Sequence, residues 1–367
     1  MNNIPHSKRT LLSSLPGIGP GGTRGNPEVA DAGVACRSGT SGRQATCGPL
    51  RPLFLRNADS VDQTIEVQSL FSGTRQHPIY ADRFIPQQRT LRYPVIMIHG
   101  GCNTGTCFTI TPDGRRGWAQ DFARAGIEVF VIDWPGHGRS PMRADFLNLS
   151  SRDVRNSIAE MLTDIGPSVL LAHSAGGPLI WSLAEECPDL VKGLVGVAAG
   201  PPANLVPSLD PGSLQALEAT ADPDAGFPIM APRDELFLVD EAFVTEYWFS
   251  GPQAPERAGE LFFRSVVPES PRIINERFNV DGEGLSIRDP AQVGARPALI
   301  VSPECDPRHP RHIDKATADY LGAEFVWLAN HGICGNGHMM MADRNSRSIA
   351  LLIADWLQGQ QSLATAS

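Results

Sequence analysis

Five short, almost uninterrupted apolar runs constrain this chain most: Val95–Ile98, Ile127–Ile132, Ser168–Ala172, Leu194–Ala198 and Ala298–Ser302. A strand that meets water on one side alternates apolar and polar residues. Continuous runs belong to a parallel sheet covered on both faces. Between them lie helical stripes. Val154, Ile158, Met161, Leu162 and Ile165 recur at amphipathic-helix spacing, and Ile349, Leu352, Ile353, Trp356 and Leu357 mark a second such helix. Thr64–Phe71 and Ile79–Phe84 alternate and predict an antiparallel pair ahead of the first run. The expectation is an α/β fold with a mostly parallel central sheet and helices on both faces.

Residues 59–200 and 295–367 carry this alternation, and residues 201–294 interrupt it. That interval holds Phe227, Phe237, Phe243, Tyr247, Trp248, Phe249, Phe262 and Phe263, as a helical lid over one end of the sheet would. Residues 1–58 are rich in Gly, Pro and Ser without hydrophobic periodicity and predict an irregular N-terminal segment. The G-x-G-x-x-G pattern at Gly17–Gly22 follows no strand and contains Pro20, so it predicts no dinucleotide site.

Composition excludes several partners. Lys and Arg total 31 against 40 Asp and Glu, a net charge of −9, which lacks the basic footprint of nucleic-acid binding. No apolar run approaches the ~20 residues that span a bilayer. The 7 cysteines include no Cys-x-x-Cys pair, so the usual zinc spacings are missing and no metal is expected; no cofactor is expected either, and the disulfide state of the cysteines stays open. Lys8 and Arg9 precede only Leu11, Leu12 and Leu15 before Pro16 breaks the run. With no proper signal peptide, a cytoplasmic location is expected, secretion remaining open. A homodimer is compatible with such a chain.

The chemistry starts at Val169-Leu170-Leu171-Ala172-His173-Ser174-Ala175-Gly176-Gly177. A buried strand runs into a serine, then small residues, then a helix. This is the nucleophile elbow G-x-S-x-G with Ala172 in place of its first glycine. Small neighbours permit the tight turn that exposes a serine hydroxyl, and the helix N-terminus behind it favours developing negative charge. His99-Gly100-Gly101 follows another buried strand, where a glycine-rich loop can turn an amide toward a substrate carbonyl. The expected oxyanion hole is the backbone N–H of Ala175 with that of Gly101 or Cys102. In the order serine, acid, histidine, the base follows the last strand, where His338 is preferred and His331 is the alternative. Asp133 and His137, in a glycine-rich turn, are expected to shape a loop.

These features, with three longer stretches, resemble the α/β-hydrolase superfamily over roughly residues 61–358. They are most similar to bacterial serine esterases with adjacent cysteines in the oxyanion loop. The stretches are His99–Gly105, Thr111–Trp118 and Gly335–Met341 followed by Asp343-Arg344-Asn345. The resemblance implies the α/β-hydrolase fold, Ser174 as nucleophile and His338 as base. Two departures stand out. Gly101 occupies the first cysteine position, which leaves Cys102 to pair with Cys107 or stay free. Those esterases take their acid from a Glu after the strand that follows the elbow, and Gly196–Gly200 holds no carboxylate. The other superfamily position falls at Ser302–Pro307, where Asp306 is the preferred acid and Glu304 the alternative. The expected function is metal-independent serine hydrolysis of a small-molecule carboxylic ester or lactone.

Overall fold

The computed structural model describes residues 65–210 and 230–365. The expected irregular segment 1–58 and its glycine pattern lie outside these residues, as does part of the 201–294 interval. Eight strands form one sheet in the order β1-β2-β4-β3-β5-β6-β7-β8. They are β1 (Glu66–Gly73), β2 (Pro78–Ile85), β3 (Val95–Ile98), β4 (Val129–Asp133), β5 (Ser168–His173), β6 (Val191–Val197), β7 (Ala298–Ser302) and β8 (Glu324–Trp327). From β4 to β8 all neighbours run parallel, and β2 is antiparallel to both β1 and β4.

Two cores account for the uninterrupted runs. Val95, Met97, Val129, Val131, Val169, Leu171, Leu299 and Val301 point to one face. Their alternates Ile96, Ile98, Phe130, Ile132, Leu170, Ala172 and Ile300 point to the other. Strands β3, β4, β5 and β7 therefore have no wet side, as side chains of period two require when both faces are covered. Helix Ser151–Ile165 packs on the second face, opened by a capping box in which Ser150 and Asp153 satisfy each other's backbone donors. Helices Trp118–Arg124 and Ser346–Gly359 cover the first face.

The 201–294 interval is mostly short elements among the described residues. Its longest helix there is Pro271–Arg277, with seven residues. Cys102 and Cys107 are both free, buried thiols, so the pairing left open between them does not form. No helix among the described residues is long and apolar enough to cross a membrane.

Candidate active site

The strand-to-helix turn after β5 is left-handed at its serine: Ser174 has φ +51°. Such a backbone costs a non-glycine residue about 1–3 kcal/mol and persists only when its surroundings enforce it. Here both backbone groups of Ser174 are tied to the end of β6. Its N–H donates to the Ala198 carbonyl at 3.1 Å and its own carbonyl accepts from Gly200 N–H at 2.8 Å. Gly100 makes room for the turn, since a Cβ there would lie 2.9 Å from Ser174 Cβ and 2.9 Å from His173 Nδ1.

Ser174 Oγ lies 3.0 Å from His338 Nε2, and His338 Nδ1 lies 2.7 Å from Asp306 Oδ2. The other Asp306 oxygen accepts the Arg308 N–H at 2.7 Å. Burial works against charge on Asp306, but His338 and His309 beside it and the Arg308 amide overcome this and bring its pKa down to about 2. Burial holds His338 below its ordinary value, although the Asp306 charge pulls the other way. A carboxylate beside a neutral imidazole that faces a hydroxyl is the arrangement in which the imidazole can accept the serine proton.

The alternatives lie elsewhere. Glu304 is exposed and accepts the Gly335 N–H at 2.9 Å, anchoring the loop that carries His338. His331 is exposed on a short 3-10 turn. The loop around His338 is braced further by Asp343, whose Oδ2 accepts from Asn336 Nδ2 at 2.8 Å and Gly337 N–H at 3.2 Å. Arg115 reaches across to the Ala342 and Asp343 carbonyls at 3.3 and 3.1 Å, so the Thr111–Trp118 stretch clasps this same loop.

Gly101, Cys102 and Ala175 line a cavity of about 310 Å³ with Ser174 and His338. His99 sets the loop. Its Nε2 accepts the Trp134 N–H at 3.1 Å, which leaves Nδ1–H to donate to the Gly100 carbonyl at 2.8 Å. Burial and the neighbouring His137 push its pKa to about 3, so this neutral tautomer persists. The Gly100–Gly101 peptide is trans, so Gly101 N–H points opposite to that carbonyl, away from the His99 ring. Cys102, expected as an alternative donor, has its N–H engaged by Glu269 Oε2 at 3.2 Å. Burial and that carboxylate push the Cys102 thiol well up, so it is no nucleophile. Asp133 is structural, accepting Gly105 N–H at 2.7 Å and Arg139 N–H at 2.9 Å.

The sequence model of the alpha/beta hydrolase family matches residues 95–350, which spans every residue of this site. The chain belongs to the alpha/beta hydrolase family. Among curated relatives, this hydrolase is 26% identical over 349 residues to a probable secreted lipase, phiG, of a fungal strain, covering 77% of this chain and 86% of that one. It is 31% identical over 186 residues to a pyrethroid hydrolase of Sphingobium wenxiniae, covering 47% and 62% respectively. Two solved structures share its fold. A thermophilic esterase from Thermogutta terrifontis superimposes with a TM-score of 0.53 at 17% identity, covering 80% of this chain and 98% of that one. A bromoperoxidase from Bacillus anthracis gives 0.54 at 16% identity, covering 78% and 99%.

The sequence assigns no role to several residues around this site. Glu269 is fully buried behind the Gly100–Cys102 loop, where it also meets His137 Nε2 at 3.0 Å. His173 donates from Nε2 to the His338 carbonyl at 3.1 Å, and His309 stacks on the His338 ring at 5.4 Å. The usable signal for Glu269 was an acid between Pro268 and Pro271, flanked by Val266-Val267 and Ile273-Ile274. Among the described residues, no group of three or more His, Cys, Asp or Glu could hold a metal ion.

Proposed function

We propose that the chain is a serine hydrolase of carboxylic esters or lactones acting through an acyl-enzyme. The observation that carries this reading is the continuous hydrogen-bond chain from Ser174 Oγ through His338 to Asp306, opening into the cavity. His338 Nε2 takes the proton of Ser174 as Oγ bonds to the substrate carbonyl carbon, and the carbonyl π electrons move onto oxygen. Gly101 N–H and Ala175 N–H receive that oxyanion. Collapse re-forms the carbonyl and breaks the bond to the leaving oxygen, which takes the proton from His338. Water, giving its proton to His338, attacks the acyl-serine in the same way and releases the acid. Asp306 stays ionised and holds the imidazole throughout. Losing one oxyanion donor typically costs about 3 kcal/mol of transition-state stabilisation.

The ester assignment draws support from the relatives named as a lipase and a pyrethroid hydrolase. Phe237, Val239, Phe243 and Trp248 from the 201–294 interval line the cavity and give it an apolar wall, in keeping with a lid. One relative is named as secreted, so the comparisons lend the cytoplasmic expectation no support.

Initial rates on p-nitrophenyl esters, with wild type beside Ser174→Ala and a serine-directed phosphonate as label, test the reading. Turnover and labelling that both vanish in Ser174→Ala are the expected result. A wild type that neither turns over any ester nor takes the label overturns it.

A further inference from the structure

Two arginines reach the cavity. Arg277 ends the helix Pro271–Arg277 and Arg308 follows Asp306 by two residues; both line the same space as Ser174 and His338. Arg277 packs on Gly200, the residue whose N–H holds the Ser174 carbonyl. A Cβ at Gly200 would stand 2.5 Å from Arg277 Nε and 2.8 Å from Nη2, so a side chain there would displace the guanidinium from this position. Arg308 lies over the Phe243 and Phe278 rings, 5.7 and 5.8 Å from their centroids. Arg277 lies over Phe278 at 5.4 Å.

What the arginines lack is an acid within bonding distance. Among the described residues, neither guanidinium makes a hydrogen bond or an ion pair, and Arg308 Nη1 is fully buried with no partner. The nearby carboxylates attract the guanidiniums only from beyond bonding distance: Asp306, facing Arg308, holds His338 and the Arg308 amide, and Asp314, facing Arg277, has Oδ1 against His309 Nδ1 at 3.2 Å and Oδ2 without a partner. Burial, with the like charge of Arg308, pushes Arg277 down only to about 10, so it remains a cation at neutral pH. A half-buried guanidinium with no bonded counter-charge is costly, and proteins keep one where it meets a charge of opposite sign. Stacking on aromatic rings steadies a guanidinium but leaves its N–H donors without acceptors.

We infer that Arg277 and Arg308 form an anion subsite that selects esters carrying a second, ionised carboxylate. This rests on Ser174 being the nucleophile and adds the substrate class. The planar N–H forks match a carboxylate, while the apolar wall takes the chain that joins it to the ester. A monoester of a dicarboxylic acid has this form.

The test compares two p-nitrophenyl esters of equal chain length, the pentanoate and the glutarate monoester. In wild type, kcat/KM for the glutarate ester should exceed that for the pentanoate by about tenfold or more, the scale of one good charge-assisted contact. Arg277→Gln and Arg308→Gln should each lower that ratio by about tenfold, with Arg277→Lys restoring part of it. A wild-type ratio at or below one overturns the proposal, even if both variants fail to fold. So does a ratio that neither variant changes. Calorimetric binding of free glutarate to wild type separates this proposal from the hydrolase reading. If no ester is hydrolysed yet glutarate binds and Arg277→Gln abolishes the heat, the hydrolase reading fails and the subsite stands. Absence of binding at millimolar glutarate overturns the subsite alone. Inorganic phosphate is titrated beside it, and phosphate binding in preference to glutarate also overturns the carboxylate assignment.

Discussion

Glu269 holds the backbone N–H of Cys102 at 3.2 Å across 167 residues of sequence, tying the 201–294 interval to the loop behind β3. The same carboxylate accepts Ser270 N–H at 2.9 Å and faces His137 Nε2 at 3.0 Å, with both side chains fully buried. The Gly100–Cys102 loop therefore owes part of its shape to a residue outside the sheet.

Replacing Glu269 with Ala strands a buried imidazole and a buried amide. Breaking a buried pair of this kind costs about 3 kcal/mol or more. We expect a lower thermal midpoint and, because Gly101 adjoins the loosened Cys102, about a tenfold lower kcat, below the loss typical of a whole oxyanion donor. Thermal melts and ester kinetics check both, and an unchanged midpoint with unchanged kcat would refute the bracing role.

Asp306 and Glu304 are separable by experiment. Asp306→Asn should lower kcat by about 10⁴, because the amide favours the wrong histidine tautomer. Glu304→Gln keeps an acceptor for Gly335 N–H and should leave kcat within about threefold, a loss of at most one neutral hydrogen bond. Comparable losses in the two variants would count against Asp306 as the orienting acid.

Activity should also report the state of His338. Its proton must be absent for it to act as base, and burial lowers its pKa from the ordinary 6.5. For an uncharged ester, kcat/KM should rise with pH through a midpoint below 6.5 and then level off. A midpoint at 7 or above would contradict the buried, neutral imidazole.

Asp343 makes stability depend on pH in the opposite sense to an ion-paired carboxylate. Burial outweighs its hydrogen bonds to Asn336 and Gly337 and raises its pKa from 3.8 to about 7. Below 3.8 both folded and unfolded chains hold the proton, and there is no penalty. As pH rises, the unfolded chain ionises first, so stability falls until about 7 and the penalty is complete above that. Asp343→Asn keeps an acceptor without the charge. It should melt higher than wild type at pH 8, with a gap that closes toward pH 4. A gap independent of pH would show that ionisation is not the cause.

The legible parts of this molecule were those with local signals. The buried strands announced themselves by continuous apolar runs because each alternate residue feeds a different core. The elbow showed because a left-handed serine tolerates only small neighbours. Strand ends moved by a few residues, as with β4, which begins at Val129 where Ile127 was expected. Cys102 looked like an oxyanion donor because nothing local reveals that a distant carboxylate occupies its N–H. Arg277 and Arg308 gave no signal either, since two arginines 31 positions apart read as solvated charges until the fold turns both toward one space.

The hydrogen bond between Ser174 and His338 closes a loop of 164 residues, and β6, β7 and β8 are laid down within it. The reactive assembly thus exists only after the far half of the sheet has docked in order, a late and non-local event in any folding route. Enzymatic competence is a report on completed topology. On dilution from denaturant, regained turnover should trail regained helical signal, and a ribosome-bound chain lacking the residues after β7 should be catalytically silent however well its first strands have paired.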